Sequence, residues 1–265
     1  MGAMSSTTAP INTFRGVLGG GGWFNEDSAP LVRRAYDLCG TSPRLLVMPT
    51  PLSSLPCDEL DGIKTIFGGE LGPNSFRVLT DDTQQIPDPN RARELLEWAN
   101  VVLVMGGNYA ENMKRWSYTG IDQMMLNTAE TDTVFTGAST GLISWFTAAQ
   151  TVDTPLGEPN DKQYYLHRGL RKLPALVSAH YDNFQSGTGI PRSVSFTEMM
   201  ATQPIGTVGV GVTNFGYVEI DKDTVQVGRT HRYAGVHRLL STPSGVDLQM
   251  FGSGDKMSYS DFFLV

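Results

Sequence analysis

The 265-residue sequence predicts an α/β fold: a doubly wound, mostly parallel sheet with helices on both faces, in three layers. From Phe14 to about Ala179, short apolar runs alternate with amphipathic segments, which is typical of strand, helix, strand units buried on both faces. Beyond Pro204, short segments of alternating polarity are separated by turn residues, which predicts antiparallel strands added near the C-terminus. A chain of this length can bury about 70 to 75% of its unfolded surface, enough for one large core.

The first third of the chain predicts three strands and two helices. "RGVLGG" is a strand that ends in glycines, followed by a helix over Ala29 to Cys39 with Ser28 as its cap and Pro30 in its first turn. "RLLVMPT" is the second strand and "SFRVLT" the third. Between them, "DELDGIKTIFGGEL" predicts a helix interrupted near its glycines.

The middle of the chain repeats this order. Asn90 is expected to cap the helix "RARELLEWA", and "NVVLVMGG" is an apolar strand that ends in glycines before a helix over Tyr109 to Trp116. "DTVFTG" and "GLISWFTAAQ" again indicate strand, turn and helix. A long loop, Thr151 to Arg168, precedes the strand "LPALVSA".

We expect one domain over residues 14–240, a disordered or tag-derived segment over residues 1–13, and a C-terminal extension of unassigned role over residues 241–265. The net charge of −7 argues against nucleic-acid or anionic-membrane partners, so short peptides or other small molecules are expected, with a homo-oligomer possible. Only two cysteines occur and no long apolar run, which favours a cytoplasmic location. No cofactor or metal is predicted, because no clustered ligand set occurs.

Ser139 is the candidate nucleophile. It lies in "GASTG", a G-x-S-x-G pattern between an apolar strand and a helix, the arrangement that exposes a serine hydroxyl on a sharp turn. The backbone N–H of Thr140 would then face a developing oxyanion. A small polar residue at an ordinary bend is the alternative interpretation.

A serine nucleophile needs a base, and four histidines are available: His167, His180, His231 and His237. His180 follows a buried strand, the position at which doubly wound folds keep their sites, although a structural histidine would also fit there. For the orienting carboxylate, Asp153 in "TVDTP" competes with Glu158 of the same loop.

The glycine turn "MGGN" is a second candidate for a functional backbone site. The Lys-Ser/Thr of a phosphate-binding loop is absent, and G-x-G-x-x-G spacing is met neither here nor at residues 19–22. The remaining functional interpretation is a second oxyanion donor at Gly107 with Asn108 beside it, and the alternative is a tight strand-to-helix turn.

Taken together, "LGGGGWF", "VVLVMGGNYAENMKRW", "GASTGLISWF", "TVDTP" and "LPALVSAHYD" resemble, in order, the motifs of the peptidase E family of serine hydrolases, the aspartyl dipeptidases and their cyanophycinase relatives. The resemblance runs from about Phe14 to Leu239. It implies a fold similar to that of class I glutamine amidotransferases and a triad of Ser139, His180 and Asp153. It also implies oxyanion donors at Gly107 and Thr140, with Asn108 and Tyr109 at the substrate.

Three positions depart from the family pattern: Thr140 replaces an alanine, Met105 a glycine and Tyr109 a small hydroxyl residue. The loop before Asp153 also lacks a basic residue for an acidic substrate. Arg168, Arg171 and Lys172 in the following segment are candidates for binding an acidic substrate side chain, and a solvated basic turn is the alternative interpretation.

The resulting hypothesis is a serine hydrolase that cleaves short peptides, as a dipeptidase-like exopeptidase with Asp-X as the first candidate substrate. The alternatives are a catalytically silent binding or regulatory module of the same fold, and an ordinary α/β-hydrolase whose base is His237.

Overall fold

The computed structural model describes residues 12–22, 29–50, 58–82, 85–184 and 188–265. It is a mixed α/β structure with mostly parallel central strands, but the strands form two sheets where one was expected. The strands are β1 (Arg15–Gly19), β2 (Leu45–Met48), β3 (Phe76–Val78), β4 (Val101–Val104), β5 (Val134–Ala138), β6 (Phe146–Thr151), β7 (Tyr165–Arg168), β8 (Leu173–Ser178), β9 (Val208–Val212), β10 (Gly216–Asp221), β11 (Thr224–Arg229), β12 (Val236–Thr242), β13 (Gly245–Phe251) and β14 (Lys256–Ser258).

The first sheet has the order β14-β11-β10-β1-β5-β4-β2-β3. Its strands from β1 to β3 are parallel, and β10, β11 and β14 add to β1 in antiparallel fashion, as the alternating C-terminal segments predicted. The four-residue runs Leu45–Met48 and Val101–Val104 are buried throughout, as expected for strands covered on both faces.

The second sheet has the order β13-β12-β9-β8-β6-β7. Strands β6, β8 and β9 are parallel, whereas β7, β12 and β13 are antiparallel to their neighbours. The segment "GTVGVGVTN" was expected among the added antiparallel strands; its strand β9 instead extends the parallel part of this sheet beside β8.

The helices and helical turns are α1 (Ala29–Cys39), α2 (Asp58–Ile63), a π-helical turn (Lys64–Gly68), α3 (Gly69–Leu71), α4 (Pro89–Trp98), α5 (Tyr109–Thr119), α6 (Ile121–Thr128), α7 (Thr140–Ile143), α8 (Arg192–Ala201) and α9 (Tyr259–Phe263). The π-helical turn is the interruption predicted near the glycines of "IFGGEL". The proposed cap of α1, Ser28, lies outside the described residues.

Two local predictions were wrong. Asp88 caps α4 in place of Asn90: its side chain accepts the Asn90 N–H, and Pro89 takes the first helical position, where a missing N–H costs nothing. The helix expected over "GLISWFTAAQ" is a single turn, α7, followed by strand β6. Pairing of β6 with β7 and β8 on either side outweighs the helical propensity of its alanines.

The C-terminal residues 241–265 are integrated into both sheets, because β13 pairs with β12 and β14 pairs with β11. Phe262 and Phe263 of α9 are buried in the largest apolar core. Of the N-terminal residues 1–13, Asn12 and Thr13 are described and form hydrogen bonds, with Lys222 and Glu130 respectively; the expectation for the remainder falls outside the described residues. Among the described helices, none is long and apolar enough to cross a membrane.

Candidate active site

Ser139 lies on a strained turn between β5 and α7. Its backbone angles are φ 55° and ψ −114°, a combination that side-chain-bearing residues rarely adopt. Strain of this kind persists only where the surrounding structure enforces it, and it concentrates at functional sites. The strand, sharp turn and helix of the nucleophile elbow are therefore present.

The two glycines of "GASTG" are required by the close approach of β4. A Cβ atom at Gly137 would lie 2.1 Å from the carbonyl oxygen of Val104, and one at Gly141 would lie 2.3 Å from the same oxygen. Gly137 also has φ 149°, in the region that favours glycine. The motif is thus explained by packing: the end of β4 passes directly over the turn that carries Ser139.

The backbones of Ser139 and His180 are both bound by the chain at the end of β1. The Ser139 N–H donates to the carbonyl of Gly19 at 3.2 Å, and the His180 N–H donates to the carbonyl of Gly20 at 2.9 Å. Since Gly19 and Gly20 are consecutive, their Cα atoms are about 3.8 Å apart. The backbones of the predicted nucleophile, from the first sheet, and of the predicted base, at the end of β8 in the second, are thus both bound at the end of β1, and no hydrogen bond joins the Ser139 hydroxyl to the His180 ring among the described residues.

The glycine-rich segment after β1 leaves space for the imidazole of His180. A Cβ atom at Gly21 would lie 2.1 Å from both Cε1 and Nδ1 of His180, and Gly21 has φ 148°. His180 itself has φ 49°, so both predicted catalytic residues adopt disfavoured backbone angles. The His180 ring packs directly on the Gly21 backbone, which no larger residue would permit.

Asn214 is the hydrogen-bond partner of the His180 ring. Its Oδ1 lies 2.7 Å from His180 Nδ1, and its backbone N–H donates to Asp182 Oδ1 at 2.8 Å. Because an amide oxygen only accepts, the proton belongs on Nδ1 and Nε2 is left as the basic nitrogen. Asn214 was not predicted from the sequence; its position just after β9, the parallel neighbour of β8, is the signal that could have indicated it.

Asp153 makes a different contact from the one expected of a triad carboxylate. Its Oδ2 accepts the backbone N–H of Tyr109 at 3.0 Å, at the start of α5, and no hydrogen bond joins it to His180 among the described residues. The competing carboxylate, Glu158, forms an exposed ion pair with Lys114 at 3.6 Å.

The electrostatic surroundings lower the pKa of His180. Burial is the largest cause, and the positive charge of Arg192 acts in the same direction, against smaller opposing effects of the Asn214 hydrogen bond and of Asp182 and Asp153. Arg192 is buried at the start of α8, where its Nη1 donates to the Gln150 carbonyl at 3.4 Å. The lowered pKa favours the neutral imidazole, the form that a general base needs.

Asn108 and Tyr109 have structural contacts. The Asn108 side chain accepts the Glu111 N–H at 2.9 Å as the cap of α5 and donates to the Thr154 carbonyl at 2.9 Å. Tyr109 is fully buried, and its hydroxyl donates to the Arg168 carbonyl at 3.1 Å. These contacts hold α5 against the loop after β6, and a role of either side chain in substrate binding stays a prediction.

Gly107 and Thr140 are joined by a hydrogen bond from Thr140 Oγ1 to the Gly107 carbonyl at 2.7 Å. The backbone N–H groups of these two residues have no acceptor among the described residues. Of the basic residues considered for an acidic substrate, Lys172 is occupied by Glu130 at 2.5 Å, and Arg168 and Arg171 are exposed.

Two solved structures share the fold over most of the chain. A peptidase from an acI-B1 Actinobacterium has a TM-score of 0.65 at 16% identity, covering 94% of this chain and 98% of that one. A putative peptidase E protein from Listeria monocytogenes EGD-e has a TM-score of 0.57 at 15% identity, covering 82% and 99%. No curated protein matches the sequence.

The model of peptidase family S51 matches residues 63–228, more than half of the chain. This match confirms the resemblance to the peptidase E family and the prediction of a hydrolase that acts on peptide bonds. The chain therefore belongs to peptidase family S51.

Proposed function

We propose that this peptidase is a serine exopeptidase that cleaves short peptides through an acyl-enzyme on Ser139, with His180 as general base. The observation that carries the proposal is the pair of hydrogen bonds from the Ser139 and His180 backbones to the consecutive carbonyls of Gly19 and Gly20. That anchorage supports the proposal, because the backbones of the strained serine and of the histidine are both bound at the end of β1.

In the first half of the reaction, His180 Nε2 takes the Ser139 hydroxyl proton while Oγ attacks the scissile carbonyl carbon. The carbonyl oxygen becomes negatively charged and is stabilised by the N–H groups of Gly107 and Thr140. The tetrahedral intermediate then expels the amine, which receives the proton from His180. In the second half, His180 activates a water molecule that hydrolyses the acyl-enzyme and regenerates Ser139.

For the group that orients the base, the contacts support Asn214 over Asp153. Asn214 Oδ1 already binds His180 Nδ1, whereas the Asp153 carboxylate holds the first turn of α5. An asparagine fixes the imidazole tautomer and orientation without adding a negative charge. The proposed set is thus Ser139, His180 and Asn214, with Asp153 as support for the turn that carries Gly107.

For the substrate, we propose a dipeptide or similarly short peptide with an acidic first residue. Arg192 supports this choice, because its positive charge is buried near the site: after burial itself, it is the next largest effect that lowers the pKa of His180. An acidic side chain of the substrate would be attracted by the same positive charge of Arg192. We also propose that the protein is cytoplasmic and that its layers of helices and strands are similar to those of class I glutamine amidotransferases.

The test is hydrolysis of a dipeptide panel, Asp-X first, by the wild type and by Ser139→Ala. Loss of a triad serine costs on the order of 10⁶ in rate, so the variant should show no turnover above background. Ser75→Ala is the matched control, since Ser75 lies before β3 at the far edge of the first sheet. Equal activity of Ser139→Ala and the wild type would refute the assignment.

A fluorophosphonate probe tests the same proposal without a substrate. Stoichiometric labelling of the wild type and of Ser75→Ala, but not of Ser139→Ala, is expected. Absence of labelling in folded wild-type protein would identify the silent binding module instead.

A further inference from the structure

Two buried threonine hydroxyls hold the successive carbonyls of the "MGGN" turn. Thr50, just after β2, donates from Oγ1 to the carbonyl of Gly106, and Thr140 donates from Oγ1 to the carbonyl of Gly107 at 2.7 Å. Both threonines are almost completely shielded from solvent, with exposed fractions of 0% and 1%. Two different elements, the end of β2 and the start of α7, thus meet at one turn.

These two contacts determine the direction of the Gly107 N–H. In a trans peptide, the carbonyl of one residue and the N–H of the next point to opposite sides of the chain. Thr50 holds the Gly106 carbonyl, so the Gly107 N–H must point away from Thr50. Thr140 restrains the following peptide plane through the Gly107 carbonyl.

Gly107 needs such restraints more than another residue would. Its φ is 156°, and a glycine has the widest choice of backbone angles, so the two peptide planes that flank it are otherwise the most free to rotate. An oxyanion donor is effective only if it is oriented before the charge develops. Without the two threonine hydrogen bonds, the N–H of Gly107 would lose part of that fixed orientation.

We propose that Thr50 and Thr140 are positioning residues, whose hydroxyls hold the Gly106 and Gly107 carbonyls and thereby aim the Gly107 N–H at the oxyanion of the tetrahedral intermediate. The inference rests on the proposed function, since it takes Ser139 as the nucleophile. Thr140 has two roles in this arrangement: its own N–H is the second oxyanion donor, and its side chain restrains the first donor, the N–H of Gly107. The replacement of the family's alanine by threonine at this position then adds a hydrogen bond that restrains Gly107.

The test compares Thr50→Val and Thr140→Val with Thr136→Val. Thr136 is fully buried in β5, and its Oγ1 donates to the Val17 carbonyl at 2.9 Å, so the control loses the same kind of bond away from the "MGGN" turn. Thr50→Val and Thr140→Val should each lower kcat by about 10-fold with little change in KM, because an oxyanion donor acts mainly in the transition state. The double variant should approach the roughly 10² to 10³ that loss of one donor costs.

Two further measurements separate positioning from simple packing. Thr50→Ser and Thr140→Ser keep the hydroxyl and should restore kcat. Inhibition by a peptide aldehyde, which forms a tetrahedral adduct with Ser139, should weaken in parallel with kcat, whereas the affinity for a product peptide should not. If Thr50→Val does not fold, Thr140→Ala, which removes the hydroxyl without adding bulk, decides the question.

Unchanged kcat in folded Thr50→Val and Thr140→Val, or an equal loss in Thr136→Val, would overturn the inference while leaving the serine mechanism intact. A wild type that neither cleaves the dipeptide panel nor reacts with the fluorophosphonate probe would instead overturn the proposed function itself.

Discussion

The two halves of the candidate site are held in different ways. Around Ser139 the restraints are backbone contacts, because Gly137 and Gly141 face the Val104 carbonyl. Around His180 the restraints involve side chains: the ring packs on Gly21 and bonds to the Asn214 amide. Ser139 is therefore positioned by close backbone packing within the first sheet, and the His180 ring by contacts that a substitution could loosen without unfolding the protein.

The largest effect is expected at Gly137, where the backbone packing around Ser139 is tightest. Gly137→Ala would place a Cβ atom 2.1 Å from a backbone oxygen in the middle of the first sheet, in addition to an unfavourable φ of 149°. We expect a loss of at least ~2 kcal/mol in the free energy of unfolding, together with loss of activity. Chemical denaturation measures the first quantity and probe labelling the second.

Gly21→Ala is the counterpart on the histidine side. Its Cβ atom would meet mainly the His180 ring, which can rotate away, so activity should fall by about 100-fold or more while the protein keeps more stability than Gly137→Ala. Gly69→Ala, a helical position with open space around it, serves as the control for both. The contrast fails if Gly21→Ala is the less stable of the two or remains fully active.

A smaller effect distinguishes the two candidates for orienting the base. Asn214→Leu removes the acceptor of His180 Nδ1 and should lower kcat/KM by about 10². Asp153→Asn keeps an oxygen for the Tyr109 N–H and should cost less than about tenfold. The measurement is kcat/KM on the best dipeptide, and the reverse order of the two effects would restore Asp153 as the third member of the triad.

The smallest effect is a shift in pH dependence. Burial and Arg192 lower the pKa of His180 from its ordinary 6.5. A base must be deprotonated to act, so activity should persist above that lowered pKa, be lost as the pH falls through it, and show an acid limb below pH 6.5.

Asn214→Asp sharpens the same comparison. It puts a carboxylate beside Nδ1, raises the pKa of His180 and should move the acid limb of kcat/KM upward. A wild-type limb above pH 6.5, or a downward shift in the variant, would contradict the assignment of His180 as the base.

Several features could be predicted from local sequence because they depend on neighbouring residues only. Apolar runs such as "NVVLVM" correctly indicated buried parallel strands, and "GASTG" between a strand and a helix indicated the turn at Ser139. The strand before His180 was expected from the same pattern and is β8. Family membership followed from the order of these motifs.

Other features depend on contacts between distant parts of the chain. The division into two sheets arises because β6, after one turn of α7, pairs with β7 and β8 and not with β5. Asn214 reaches His180 across 34 positions of sequence, through the parallel pairing of β8 and β9. Local propensity carries no information about such pairings, so residue types alone left Asp153 and Glu158 as alternatives, and the family resemblance implied Asp153.

The sequence by itself thus determined the family, the nucleophile turn and the strand that ends at the histidine, because each is encoded in a short run of residues whose spacing matches its local structure. Only the tertiary structure decided that the carbonyls of Gly19 and Gly20 bind the backbones of Ser139 and His180, that Asn214 binds the imidazole, and that Asp153 binds the Tyr109 N–H at the start of α5. Those contacts join residues far apart in the chain, and which residues meet is determined by strand order and by close backbone approach.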